Sequence, residues 1–182
     1  MATFRCTAKL LKRLGIGKPG EPPAPENALG DWYANILFTR TGHYLLLLSE
    51  RSRLPVLLSA RDLHSFERRF LQTLPEVLGE IGVPSHQIDR ELTLMQPLYY
   101  GKTANRSMLG TLNDFGFLAK YWLSPGNLSL YDVNLRLARA PCQPLQSKFP
   151  DKETRSCLLY TSPSPRDTLL YLLFRIMHDK IL

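Results

Sequence analysis

Three strand-like runs follow one another between Trp32 and Ser59, with room for only tight turns between them. The first is Trp32 to Arg40, the second His43 to Ser49, the third Leu54 to Ser59. Thr41 and Gly42 separate the first pair, and Glu50 to Arg53 separate the second. Parallel neighbours need a crossover of a dozen residues or more, so connections this short join antiparallel strands. Leu45 to Leu48 is continuously apolar, the pattern of a strand covered on both faces. Pro55 cannot donate to a ladder, which suits an edge strand or the first residue of one. A meander of this kind fixes the centre of the fold, and the rest must pack on it.

The flanking segments read mainly as helices. Thr3 to Cys6 is a short strand, and Thr7 is an N-cap for a helix over Ala8 to Leu14 that Gly15 and Gly17 stop. Gly17 to Glu26 holds four prolines in ten residues and reads as an extended connector. From Leu63 to Ile81 the apolar residues recur at helical period, and Pro75 predicts a kink or two consecutive helices. Ser85 then caps a short helix carrying Ile88, Leu92 and Met95. Leu98 to Gly101 reads as a strand able to join the meander. Asn105 or Ser107 caps a helix that reaches about Trp122, and a last helix covers about Ser129 to Ala138. Strands first and helices later imply an α+β fold: an antiparallel sheet of about four strands with helices packed on it.

The chain has 182 residues and a net charge of +7. Its last part stands apart. Residues 157–167 read CLLYTSPSPRD, and one choice of codons for them spells the mosaic end and read primer of transposase sequencing adapters. Residues 157–182 are therefore set aside as adapter read-through. Residues 1–156 are expected to form a single domain with a net charge of +6. In the set-aside part, residues 168–182 have helical character. The apolar run Leu169 to Phe174 is far shorter than the ~20 residues a membrane span needs. Cys6 and Cys142 form no zinc motif, and the start of the chain has no secretory h-region, which together point to a reducing cytoplasm.

Chemistry is sparse. Gly101, Lys102 and Thr103 resemble the end of a phosphate loop, but the glycine required five residues upstream is Gln96. Lys102, Asn105 and Arg106 run into a helix start, a local anion site or simply a capped helix end. Asn113 lies mid-helix and either lines a pocket or bonds to the sheet. Asp31 and Asn35 flank Trp32 and Tyr33, which offer an aromatic platform for a base or peptide or else cover a sheet edge. Glu76 with Glu80 and Asp89 with Glu91 read as solvated helix faces. The four histidines, His43, His64, His86 and His178, form no ligand pattern. Neither a catalytic centre, a metal site nor a cofactor motif assembles from these residues.

Three stretches carry a family likeness: FRCTAKLLKRLG at 4–15, LGDWYANILFTRTGHYLLLLSERSRLPVLL at 29–58 and GKTANRSMLGTLNDF at 101–115. In them the chain resembles a family of uncharacterised bacterial proteins known only as a domain of unknown function. The resemblance implies no activity, and it implies that a native C-terminus has been replaced by the adapter-derived residues. The expectation is a non-enzymatic cytoplasmic binding or accessory protein with a protein partner and no membrane contact. One alternative is a nucleic-acid-binding module using Lys9, Lys12, Arg13, Lys102 and Arg106. The other is an enzyme combining Asp31, Asn35, Arg106 and Asn113.

Overall fold

Strands β2 (Trp32–Phe38), β3 (His43–Ser49) and β4 (Pro55–Ser59) form the expected antiparallel meander, with Ala34 opposite Leu47 and Leu46 opposite Leu57. The computed structural model describes residues 1–124, 126 and 128–159; the helical tail expected over 168–182 lies outside the described residues. Two further strands, β1 (Ala2–Cys6) and β5 (Leu98–Lys102), complete a five-stranded sheet in the order β4-β3-β2-β1-β5. Helices α1 (Ala8–Leu14), α2 (Phe66–Glu80), α3 (Ser85–Met95), α4 (Arg106–Leu123), α5 (Leu130–Ala138) and α6 (Pro150–Leu159) cover it. The fold is α+β.

The sheet is mixed, which corrects the expected antiparallel sheet of about four strands. β1 runs parallel to both β2 and β5, with Phe4 opposite Trp32 on one side and Tyr100 on the other. The physical reason is the length of the return path. Residues 7–31 hold α1 and the proline-rich connector, long enough to bring the chain back to the starting end of the sheet. Tight turns dictate direction only inside the meander. β5 likewise joins the sheet through β1 and not through the meander itself.

Helices lie on both faces, so alternate strand residues enter two separate cores. Leu45 and Leu47 join Phe4, Trp32, Phe66, Phe70 and Leu74 in the first core, with residues of α1, α3 and α6. Leu46 and Leu48 join Tyr33, Leu37, Met108, Leu112, Phe115 and Val133 in the second, with α4 and α5. The four-leucine run is thus covered from both sides, as its pattern implied. Edge-to-face rings tie the first core together, Phe4 to Phe70 at 5.3 Å and Trp32 to Phe70 at 4.8 Å.

Local signals hold with small corrections. Gly15 ends α1 at φ 69°, a left-handed value that suits glycine. Pro75 sits inside one continuous α2. Pro84, not Ser85, occupies the N-cap position of α3. Asn105 caps α4, its side chain accepting from the Ser107 and Met108 amides. Ser129 and Asp132 form a reciprocal capping box on α5. α6 has no counterpart in the sequence expectations. It runs through the boundary drawn at Ser156, and Leu158 is 2 % exposed in the first core.

Two buried polar joints hold the loops. Glu91 of α3 was expected on a solvated face, but it is buried. Its carboxylate accepts from Asn27 Nδ2 at 2.8 Å, the Ala28 amide at 2.8 Å and the Leu29 amide at 3.0 Å. It thereby anchors the chain where the connector re-enters the sheet. Thr154 of α6 donates to Ser52 Oγ at 2.9 Å, and Ser52 donates to Ser49 Oγ at 3.0 Å. That chain ties α6 to the β3–β4 turn.

Candidate functional site

The carboxyl end of β2 meets the start of α1 and the third turn of α4. Along β2 the side chains of Tyr33, Asn35 and Leu37 alternate onto the face that α4 crosses. Gly116 lets α4 lie close. A Cβ built there would stand 3.1 Å from Leu37 Cδ2 and 4.0 Å from Leu46 Cδ2. Beside this contact opens a groove of about 380 Å³, lined by Lys9, Asn35, Leu37, Phe38, Asn113, Gly116, Phe117 and Lys120.

Each part of the groove has a local cause. Asn35 Oδ1 accepts from Thr7 Oγ1 at 2.9 Å and from the Ile36 amide at 2.9 Å, which leaves Nδ2 as the unpaired donor of this side chain among the described residues. Half-buried Phe38 ends the strand. Lys9 Nζ lies 4.0 Å from the centre of its ring and the Arg13 guanidinium carbon 5.2 Å away. The ring faces attract both cations. His43 closes the same ring edge-on at 4.7 Å. Phe117 is 74 % exposed and Tyr121, one helical turn on, 69 % exposed. No carboxylate lines the groove, and neither Lys9 nor Lys120 is ion-paired among the described residues.

The residues singled out from the sequence separate into three places. Asn35 and Asn113 come together in the groove. Asp31 and Trp32 do not reach it. Asp31 is buried, accepting from the Thr3 amide at 2.9 Å and from Arg5 Nε at 2.8 Å, a joint between β1 and β2. Trp32 is fully buried in the first core, its Nε1 without a partner among the described residues. Tyr33 is buried on the opposite face, and burial foremost raises its hydroxyl pKa. An aromatic platform of Trp32 and Tyr33 is therefore excluded: neighbours on a strand point to opposite faces, and helices cover both. Lys102, Asn105 and Arg106 are exposed around the start of α4, where Asn105 is occupied as a cap. No single centre contains Asp31, Asn35, Arg106 and Asn113.

Phe117 and Tyr121 escaped the sequence reading. The buried stripe of α4 runs through Met108, Leu112, Phe115 and Ala119, and two aromatics off that stripe are the available signal. Further cavities open elsewhere among the described residues. One of about 490 Å³ lies at His43, Ser59, Asp62 and Arg69, and one of about 330 Å³ lies between α4 and Cys142. Among the described residues no group of three His, Cys, Asp or Glu side chains is placed to hold a metal ion.

A family model described as Domain of unknown function (DUF6933) matches residues 3–153. The chain belongs to this family. The DUF6933 match takes in all of the groove: α1, β2 and α4 fall inside it. No curated protein and no solved structure matches the chain significantly.

Proposed function

We propose that this DUF6933 domain is a non-enzymatic binding module whose contact surface is the groove between α1, β2 and α4. One observation carries this: Phe117 in the groove lining and Tyr121 one helical turn further along α4 both hold aromatic rings in water. Leaving such rings exposed together forgoes burial free energy, and adjacent exposed apolar side chains mark interaction sites. The polar lining is made of carboxamides and ammonium groups, which hold a ligand well but supply no nucleophile beside a base. The cytoplasm is the proposed setting, supported by Cys6 and Cys142, which form no disulfide. Among the described residues no helix is long and apolar enough to cross a membrane.

The test is site-specific photocrosslinking in cells that make the protein. A photoreactive residue at Tyr121 is predicted to yield a reproducible adduct, and one at exposed Arg68 on α2 is predicted to yield none. Equal yields at both positions, or none at Tyr121, would refute the assignment.

A further inference from the structure

We infer that the groove takes single-stranded nucleic acid, with bases on Phe117 and Tyr121 and phosphates at Lys9, Arg13 and Lys120. This rests on the groove being the binding surface. Charge is the first support. α1 reads AKLLKRL and has no acid, and the segment from β2 through β3 has none either but adds Arg40 in its turn. The single carboxylate of α4 is Asp114, which lines the separate cavity beside Cys142. Around the groove α1 is thus cationic, β2 uncharged and α4 net positive, and a phosphate backbone complements that balance.

The aromatics are the second support. Phe117 and Tyr121 stand one helical turn apart, about 6 Å along the axis. Such spacing separates two rings enough for each to receive one base of an unstacked strand. Duplex bases are paired and stacked inside the helix and cannot reach either ring. The third support is the pair of carboxamides. Asn35 offers an unpaired Nδ2 and Asn113 an exposed amide, suited to hydrogen-bonding a base edge. A protein partner is the weaker fit, because protein interfaces are depleted in lysine and in charge at their cores. Here Lys9 and Lys120 stand inside the groove lining.

The experiment is fluorescence anisotropy of the full chain with a fluorescein-labelled oligothymidylate, from about 50 to about 200 mM KCl. Log affinity is predicted to fall against log salt with a slope of about −2, three phosphates at about −0.7 each. F117A and Y121A are each predicted to weaken binding by about tenfold, as loss of one stacked base does. K120E is predicted to weaken binding and flatten the slope, and K120R to preserve both. Thermal midpoints of the variants confirm that each is folded. Three results would overturn the inference: no binding at the lowest salt, binding that F117A and K120E leave unchanged, or a duplex bound as tightly as the single strand. If Tyr121 crosslinks in cells only to protein, the groove remains a binding surface and the nucleic-acid assignment falls.

Discussion

Asn134 of α5 closes the open edge of the sheet at Leu57 of β4. Its Oδ1 accepts from the Leu57 amide at 2.6 Å, and its Nδ2 donates to the Leu57 carbonyl at 2.9 Å. One buried carboxamide thus stands in for the next strand, and an edge that would otherwise template aggregation is blocked. Asn134→Ala leaves both backbone groups without a partner. A loss of about 2–4 kcal/mol is expected, read as a lower urea midpoint at constant slope. An unchanged midpoint would show that water or backbone rearrangement replaces the carboxamide.

Glu91 performs a similar service for the loop entering β2. Glu91→Gln keeps one acceptor oxygen but turns an amide NH₂ toward backbone donors. A loss of about 1–3 kcal/mol is expected. Hydrogen exchange should accelerate at Ala28 and Leu29, the amides the carboxylate now holds. Exchange unchanged at both would deny Glu91 this role.

Gly116 sets how near α4 comes to the sheet. Gly116→Val would drive methyl groups into Leu37 and Leu46, and overpacking of this kind costs about 1–3 kcal/mol. Because Gly116 also lines the groove, the same variant should reduce ligand capture there. Wild-type stability and wild-type binding together would show that the approach is looser than 3.1 Å implies.

Alkaline pH should destabilise this protein. Burial pushes the Cys6 thiol from 9.0 up to about 12. Burial also raises the Tyr100 hydroxyl, as do the charge of Glu67 and the 3.2 Å hydrogen bond to its carboxylate. An unfolded thiol releases its proton near pH 9 while the folded one keeps it, so unfolding is favoured as pH rises. The contribution is complete below pH 9.0 and is lost toward pH 12. The urea midpoint should fall steadily through that window, and less steeply in Cys6→Ala. A midpoint that stays flat would contradict the burial of these groups.

Legibility followed the range of the forces involved. The meander was readable because turn length and strand alternation are local, and so were the start of α4, narrowed to Asn105 or Ser107 as its cap, and the doubly covered leucine run. Strand partnership was not: five residues of β1 carry no mark of lying parallel to β2 and β5. α6 was hidden because its buried face is Pro150, Thr154 and Leu158, with a hydroxyl where a periodic pattern needs an apolar residue. Glu91 and Asn134 look like ordinary surface polar residues until the loop and the edge strand they serve are in place. Of the candidate site residues, Asn35 and Asn113 reached a common groove. Asp31 and Trp32 did not, because polarity and aromaticity in sequence do not say which face of a sheet is covered.

The most direct measurement of the binding account is an amide NMR titration of the full chain with a single-stranded oligonucleotide. Shifts are predicted at the side-chain NH₂ groups of Asn35 and Asn113 and along residues 116–121, with α2 and β5 silent. Shifts centred on α2 or β5, or no shifts at saturating oligonucleotide, would contradict it.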